Sequence, residues 1–281
     1  MLSRARLRAV VVALAIGVLP LTAPAVAGAN PRCGSTLAHS VRLTANMICR
    51  ISDGLDVGRS GITINLDGHT IKGQSGSSSH YGIYNSGYRD VTIENGTVRN
   101  FEDGIHEEHS NGSKIVHVTV HDSYEAGILY QLSKHGVIDH VGVFGTRQGI
   151  FLYENRLVNV TDSTSNHNLI YGLYDYGSAS KVNHVNASFN DDYGFYLEYP
   201  VAYTSSEPYT LENSTGNDNG YAGFYVYNNV PPHSEYQADL IGNTANDNED
   251  YGLYAEYWAQ GRHNHAAGNS VSNCYRVPGC S

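Results

Sequence analysis

The chain has little positive charge and almost no long apolar stretch. Its 281 residues include 17 Lys and Arg against 27 Asp and Glu, for a formal net charge of −10 at pH 7. Nucleic acids and anionic membranes attract clustered basic residues, so this composition disfavours both as partners. Beyond Leu21 no apolar run is long enough to span a bilayer.

The one extended apolar run, Ala9 to Leu21, follows three arginines and precedes the small residues Ala25-Val26-Ala27. A basic start, a short apolar segment and a small-residue cleavage site predict a signal peptide over residues 1–27. The run is too short, and too interrupted by proline, to predict a membrane anchor. The mature chain is therefore predicted to be secreted and soluble. Loss of the three arginines takes its formal charge from −10 to −13.

Glycines recur along the chain at a nearly fixed interval, and each is followed by an apolar residue. The nine repeats start at Gly61, Gly82, Gly104, Gly127, Gly149, Gly172, Gly194, Gly223 and Gly252. A spacing of 21 to 29 residues is typical of a solenoid, in which each repeat forms one coil. The repeats are too short for helix pairs and are rich in Val, Ile, Tyr, Thr, Asn and Gly. These residues favour strands joined by tight turns, so the pattern predicts a parallel β-helix.

A second column of residues lies four positions before the repeat glycines and is mostly asparagine. Its asparagines are Asn100, Asn168, Asn190, Asn219 and Asn248, with Ser123 and Gly145 at the two remaining positions. Stacked amides can hydrogen-bond from coil to coil, and asparagine tolerates the left-handed backbone of a tight corner. We expect a structural asparagine ladder at this corner.

The segment Gly61-Ile-Thr-Ile-Asn-Leu-Asp-Gly-His-Thr-Ile-Lys-Gly73 resembles the first coil of right-handed parallel β-helix proteins of the pectate-lyase-like superfamily. The later repeats resemble the generic coil of that group, and the resemblance covers residues 54–273. It implies an all-β, single-stranded right-handed parallel β-helix of about nine coils. It implies no single activity, because the superfamily includes lyases, hydrolases, epimerases and non-enzymes.

Four cysteines lie in two local pairs: Cys33 and Cys49 before the repeats, and Cys274 and Cys280 after them. An even count in an exported chain indicates two disulfides, for which three pairings are possible in principle. If nine coils separate the ends, only the local pairs can bring their Cα atoms within about 7 Å. The spacing is poor for a zinc site. We predict a bridged N-terminal cap over residues 28–60, then the β-helix and a bridged tail over residues 61–281.

Tyrosine is abundant where other aromatics are scarce, with 22 Tyr against 6 Phe and 1 Trp. In the later repeats tyrosine fills the outward position two residues after the glycine, at Tyr174, Tyr196, Tyr225 and Tyr254. Tyr227 lies in the neighbouring outward column. An apolar ring with a hydroxyl suits sugar rings, although aromatic pairs also stabilise a sheet by themselves. The longer seventh and eighth repeats predict stacked loops beside this face, at Pro200–Pro208 and Val230–Gln237.

Two acids share one outward column of the repeats. Glu198 and Glu256 lie two coils apart, which places their backbones about 9.6 Å from each other. Inverting glycosidases hold two carboxyl groups about 6.5–9.5 Å apart, so the pair is a candidate for catalysis. The alternative is two solvated surface acids.

A second candidate cluster contains His106, Glu108 and His109, with Tyr84 and Gln131 on the neighbouring coils. A histidine beside a carboxylate suits acid–base chemistry near neutral pH, although polar residues on a solvated strand are common.

Alginate-epimerase-like members of the superfamily carry Tyr-Gly-Phe-Asp-Pro-His on the corresponding face. Here Tyr193–Glu198 departs from that motif, with Tyr196 in place of the Asp and Glu198 in place of the His. The epimerase activity is therefore not carried over from the resemblance.

Three histidines, His117, His140 and His184, each precede a valine that fits the core. His117 and His140 fall on neighbouring coils and are candidates to share a metal ion, and the superfamily includes a periplasmic copper-processing β-helix. The sequence pattern places no carboxylate or cysteine in this column, so surface histidines are the favoured interpretation.

Taken together, these patterns predict an exported, monomeric β-helix protein whose tyrosine-rich outer face interacts with polysaccharide or a cell-surface glycan. Binding without catalysis is the favoured hypothesis, with no cofactor, no nucleic acid and no membrane span. The alternative is a polysaccharide hydrolase, lyase or epimerase, with Glu198, Glu256, His106 and Glu108 as catalytic candidates. A metal-binding β-helix is the remote alternative.

Overall fold

The computed structural model describes residues 30–74, 79–177, 179–199, 209–228, 238–257 and 259–281. The predicted signal peptide and the loops Pro200–Pro208 and Val230–Gln237 lie outside these residues. Among the described residues there is no helix that is long and apolar enough to cross a lipid bilayer. The strands, in chain order, are β1 (Ser35–Leu37), β2 (Val41–Arg42), β3 (Met47–Ile48), β4 (Leu55–Val57), β5 (Thr63–Asn65), β6 (Thr70–Lys72), β7 (Ile83–Ser86), β8 (Thr92–Arg99), β9 (Asp103–Glu108), β10 (Lys114–His121), β11 (Ala126–Gln131), β12 (Val137–Asp139), β13 (Gly142–Phe144), β14 (Gln148–Tyr153), β15 (Arg156–Thr161), β16 (Thr164–Asn166), β17 (Tyr171–Tyr176), β18 (Ala179–Asn183), β19 (Tyr193–Tyr199), β20 (Thr210–Glu212), β21 (Ala222–Asn228), β22 (Asp239–Ile241), β23 (Thr244–Asn246), β24 (Tyr251–Ala255), β25 (Gln260–Arg262), β26 (His265–Ala267) and β27 (Ser272–Tyr275).

These strands form long parallel sheets in which each coil pairs with the next. The first sheet has eleven strands in the order β1-β4-β7-β9-β11-β14-β17-β19-β21-β24-β27. The second sheet has fourteen, and the path β2-β5-β8-β10-β12-β15-β18-β20-β22-β25 runs along it. Strands β23 and β26 pair separately. The predicted all-β, right-handed parallel β-helix of about nine turns is confirmed.

The residue after each repeat glycine points into the core. Eight such positions, all fully buried, are Ile83, Ile105, Ile128, Ile150, Leu173, Phe195, Phe224 and Leu253. They stack in register from coil to coil, and the rings of Phe195 and Phe224 lie face to face at 4.6 Å. Burial of one such side chain stabilises the fold by about 2 kcal/mol, so the column explains why no repeat has a polar residue here.

Gly61, predicted to start the first repeat, lies in a turn before a strand of a different sheet, and that prediction was wrong. The strand after it, β5, lies in the second sheet, whereas Leu55 of β4 pairs with Ile83 in the first. Gly54 therefore begins the coil that precedes Gly82. A Cβ on Gly54 would lie 2.1 Å from the carbonyl oxygen of Gly82, whereas Gly61 has open space and a φ of 73°. The repeat glycines permit close packing between coils, and Gly61 instead permits a left-handed turn.

The asparagine ladder lies buried at a corner of the later coils. Asn190 Nδ2 donates to Asn219 Oδ1 at 3.1 Å, and Asn219 Nδ2 donates to Asn248 Oδ1 at 3.0 Å. Asn168 Nδ2 likewise donates to Asn190 Oδ1 at 3.1 Å, and Asn269 continues the ladder beyond Asn248. Each side-chain amide thereby hydrogen-bonds to the amide of the next coil, at a buried position where water cannot take its place.

Asn100 is not part of this ladder, contrary to the prediction. Tyr124 N donates to the Phe101 carbonyl, as Asp191 N does to that of Asn168, so Phe101 holds the equivalent position. Asn100 lies one residue earlier, where its φ is 61°. A fixed count back from the glycine fails here because the turn before the strand varies by one residue.

Both predicted disulfides are present, one at each end of the solenoid. The Cα atoms are 5.4 Å apart in Cys33–Cys49 and 6.0 Å apart in Cys274–Cys280. Bridges of this kind fit an oxidising compartment. They close the ends, where strands lose a neighbour on one side.

Candidate functional site

The outward face of the first sheet carries the predicted tyrosine column in register. Tyr174 pairs with Tyr196, Tyr196 with Tyr225, and Tyr225 with Tyr254. Tyr275 extends the column by one coil beyond Tyr254. We call this surface, together with its flanking outward residues from β14 to β27, the tyrosine face.

Most rings of this column lie face to face along the solenoid. Ring centroids are 5.3 Å apart for Tyr196–Tyr225, 4.8 Å for Tyr225–Tyr254 and 4.9 Å for Tyr254–Tyr275, with interplanar angles of 2°, 14° and 8°. Because each ring covers its neighbour, ring edges and hydroxyls are what the stack offers to a ligand. The stack breaks at Tyr174–Tyr196, where the interplanar angle is 75°.

A second tyrosine column, absent from the sequence prediction, lies beside the first. Its members precede the repeat glycine and contact the first column, as Tyr171 does Tyr196 at 5.1 Å and Tyr193 does Tyr225 at 5.4 Å. They are Tyr171, Tyr193, Tyr221 and Tyr251. Three of them stand directly before Gly172, Gly194 and Gly252, so the signal was readable in the repeat.

The hydroxyls of this face stay protonated at neutral pH. Burial raises the pKa of Tyr174, and the hydrogen bond to Glu198 raises it further. Burial is also the main cause of the raised pKa values of Tyr193, Tyr196 and Tyr225. The face therefore presents a set of hydrogen-bond donors beside apolar ring edges.

Glu198 accepts a hydrogen bond from the Tyr174 hydroxyl at 2.7 Å. The same diagonal relation recurs earlier in the solenoid, where the Tyr84 hydroxyl donates to Glu108 at 3.2 Å. Ser86 Oγ also donates to Glu108, at 3.3 Å. Each of these carboxylates therefore already has a tyrosine partner.

Glu256 and Tyr227 lie further along the tyrosine face. Tyr227 pairs with Glu198 across the strands, and Glu256 N donates to the Val226 carbonyl on that same strand. Glu256 thus lies beside Tyr227, one coil beyond it. Its Oε2 is buried and has no hydrogen-bond partner among the described residues. Glu198 and Glu256 therefore differ in environment, with Tyr227 on the strand between them.

His106 does not pair with Glu108 as the sequence predicted. Its Nδ1 lies 2.9 Å from Asp103 Oδ2, and its Nε2 lies 2.9 Å from Gln131 Nε2. The ring is only 7% exposed and contacts the rings of Tyr81 and Tyr84. Both ring nitrogens of His106 therefore have a hydrogen-bond partner, a carboxylate at Nδ1 and an amide at Nε2.

His109 is exposed and lies on the other side of Glu108, with its Nδ1 3.7 Å from Glu108 Oε1. The predicted cluster of His106, Glu108 and His109 therefore divides into a buried Asp103–His106–Gln131 chain and a surface pair. The partner of His106 is a carboxylate three residues before it.

The histidine column lies at a corner of the second sheet, and two carboxylates join it. Asp162 stands between His140 and His184, and Asp139 directly precedes His140. The prediction that no carboxylate shares this column was wrong. The column was defined in the sequence by a valine after each histidine, and Asp162 is followed by Ser163 instead.

A groove of about 450 Å³ lies beside these residues on the second sheet. Its lining combines polar side chains, among them Thr161, Lys181 and Glu212, with the valines Val137 and Val182. This groove lies on the second sheet, whereas the tyrosine face belongs to the first.

Comparisons with known proteins agree with the fold. The family described as right-handed β-helix region matches residues 60–202, half of the chain. An alginate lyase from Paenibacillus sp. str. FPU-7 superposes with a TM-score of 0.61 at 14% identity, over 86% of this chain and 99% of its own. The A-module of mannuronan C-5 epimerase AlgE6 from Azotobacter vinelandii gives 0.53 at 12%, over 90% and 86%.

The catalytic domain of a GH87 α-1,3-glucanase in complex with nigerose gives a TM-score of 0.51 at 12% identity, over 90% of this chain and 61% of its own. The curated protein sequences give no match. At these identities the structural similarity establishes the fold.

Proposed function

We propose that this chain, which belongs to the right-handed β-helix family, is an exported protein that binds polysaccharide along its tyrosine face. The observation that carries the proposal is the double column of half-buried tyrosines, in register over consecutive coils. A row of this kind repeats the same contact at each coil, which suits a ligand that is itself a repeating chain.

The chemistry of the tyrosine face fits a sugar chain. Its protonated hydroxyls donate hydrogen bonds, Glu198 accepts them, and the ring edges between supply apolar contact. Sugars present the complementary set of hydroxyl and C–H groups. Proteins of the same fold include, by name, an alginate lyase, a mannuronan epimerase and an α-1,3-glucanase, which supports this class of ligand.

Binding without catalysis is favoured because the candidate catalytic residues do not converge on one another. His106 contacts Asp103 and Gln131 instead of Glu108, and Tyr227 lies on the strand between Glu198 and Glu256. The raised pKa of Tyr174 makes it a weaker acid than free tyrosine and leaves little tyrosinate at neutral pH to act as a base. Since Glu198 and Glu256 lie along the face, we expect a neutral polysaccharide in preference to one rich in carboxylates.

Changing Tyr225 separates the contributions of ring and hydroxyl. Tyr225 is half-buried between Tyr196 and Tyr254. We expect Tyr225→Phe to keep the stack and weaken retention on a neutral polysaccharide by about 3–10-fold, the value of one hydrogen bond. We expect Tyr225→Ala to weaken it by at least about tenfold. Affinity electrophoresis on gels containing a panel of glucans, mannans and alginate measures both.

Tyr124→Ala is the matched control, because Tyr124 is 62% exposed at a turn outside the tyrosine face. Its retention should equal that of the unchanged chain. Equal retention of all three variants, with thermal unfolding intact, would remove the tyrosine face as the binding surface.

One observation favours a second candidate, a polysaccharide-cleaving or -modifying enzyme: the 2.7 Å contact between the Tyr174 hydroxyl and Glu198. If the unchanged chain releases product from any polysaccharide, we expect Glu198→Gln to lower that rate by about 100-fold or more and to spare retention. Reducing-end and unsaturated-product assays measure the rate. A chain that releases no product from the panel rejects this candidate and leaves the binding proposal standing.

A further inference from the structure

One corner of the second sheet is built from a column of left-handed residues. They are Asn95, His117, His140, Asp162, His184, Asn213, Gly242 and His263, with φ between 47° and 62°. Asn, Asp, His and Gly tolerate this conformation better than other residues, which accounts for the column's composition. The composition alone therefore assigns no ligand to it.

Between His117 and Asp162, potential metal ligands lie close together at this corner. The need for residues that tolerate a left-handed backbone does not explain all of them. Asp139 is an ordinary strand residue before the corner, and its Oδ2 lies 3.0 Å from His140 Nδ1. Ligand atoms of Asp139, His140 and Asp162 all lie within 4.8 Å of one another. The ring of His117, on the preceding coil, lies 4.8 Å from that of His140.

We propose that Asp139, His140 and Asp162 bind a divalent transition-metal ion, with His117 as a fourth ligand. Two imidazoles and two carboxylates form a mixed nitrogen and oxygen set, which suits Zn²⁺ and its neighbours better than Ca²⁺ or Mg²⁺. The two carboxylates neutralise the charge of the ion. The site is independent of the tyrosine face, because the two lie on different sheets.

Further contacts prepare the site and leave it accessible. Thr161 Oγ1 donates to Asp139 Oδ1 at 2.6 Å, which fixes the carboxylate and leaves Oδ2 directed toward His140. Outer hydrogen bonds of this kind orient metal ligands and raise affinity. Thr161 also lines the groove on the second sheet, so the ion would stand at the edge of that groove. On the far side of Asp162, His184 Nδ1 lies 3.9 Å from its carboxylate.

Isothermal titration of the untagged protein with Zn²⁺ tests the site. We expect one ion per chain, and we expect His140→Asn and Asp139→Asn each to weaken binding by at least about tenfold. Asparagine is chosen for His140 because it accepts the left-handed backbone. Thr161→Val, which removes only the outer hydrogen bond, should weaken binding by about tenfold.

His167→Asn is the matched control. His167 is also a left-handed corner histidine, with φ of 55°, but its ring stacks on Phe189 outside the cluster. Zn²⁺ affinity should not change in this variant, and thermal unfolding should confirm that all four variants fold. Absence of stoichiometric binding, or an equal loss in His167→Asn and His140→Asn, would overturn the proposal.

Discussion

Replacing Asn190 with alanine is expected to lower the free energy of unfolding by about 3 kcal/mol. Asn190 Oδ1 accepts from both the backbone N and the side-chain Nδ2 of Asn168, at 3.0 and 3.1 Å. Its own Nδ2 donates to the Ser165 carbonyl and to Asn219 Oδ1. Removing the amide leaves several buried partners unsatisfied, at about 1–3 kcal/mol for each lost group. Urea unfolding followed by circular dichroism measures the change.

Asn183→Ala is the control for this effect. Asn183 is half-buried on β18, and its side chain accepts one hydrogen bond, from Asn213 at 3.0 Å in an exposed place. We expect its free energy of unfolding to stay within about 0.5 kcal/mol of the unchanged chain. If Asn190→Ala unfolds at the same urea concentration as Asn183→Ala, the ladder contributes nothing beyond surface contacts.

The coil architecture could be predicted because two adjacent positions in each repeat each have a single physical requirement. Ile105 and its equivalents must be apolar, and Gly104 must lack a Cβ, which would lie 2.1 Å from Val120 Cγ1. Such requirements recur at each coil and leave a period in the sequence. Gly61 is also followed by an apolar residue, but it is a glycine because of its left-handed φ. It was therefore wrongly included among the repeat glycines.

The candidate site was less predictable because strict alternation of faces fails at the repeat glycine. Counting back from Ile105, alternation sends Asp103 into the core, yet Asp103 lies 2.9 Å from the outward His106. Tyr171 meets the outward Tyr174 in the same way, with ring centroids at 4.8 Å. In the pairing of β9 with β11, Asp103 pairs with Ala126 and Ile105 with Ile128, but the glycines between them do not pair. The strands therefore bend at the glycine. The column before the glycine therefore joins the outer face.

Ring orientation also lies beyond sequence reasoning. The sequence places Tyr196, Tyr225 and Tyr254 in one column, but not whether their faces meet a ligand or each other. At coil spacing the rings stack on one another, because neighbouring side chains in a parallel ladder lie one above the next. The tyrosines thus stabilise the sheet and also form its outer surface, so the two interpretations of the column are compatible.

Glu107 is a buried carboxyl group whose ionisation should control stability. Glu107 is fully buried, and its Oε2 accepts from Asn85 Nδ2 at 2.7 Å. Burial raises the pKa of Glu107 from 4.5 to about 7, although hydrogen bonds from Ser110 and Asn85 oppose the rise. The folded chain therefore holds a proton that the unfolded chain releases between these two pH values.

Replacing Glu107 with glutamine is expected to stabilise the protein above pH 7 and to change little at pH 4.5. Since the folded pKa is the higher one, the folded chain binds more protons in this window, and its stability falls as pH rises from 4.5 to about 7. A rise of this size corresponds to about 3 kcal/mol, lost fully once Glu107 is ionised in both states. Glutamine stays neutral, so at pH 8.5 the variant should be more stable by about 2–3 kcal/mol.

Urea unfolding between pH 4.5 and 8.5 measures this difference as a function of pH, with Glu108→Gln as the control. Glu108 is the next residue but lies on the outer face, where Tyr84 and Ser86 donate to it. Because the Glu108 side chain is 27% exposed and lies outside the core, Glu108→Gln should not gain stability as pH rises. A difference between Glu107→Gln and the unchanged chain that stays constant with pH would mean that Glu107 is already ionised in the core, with its negative charge satisfied by Asn85 and the nearby serines.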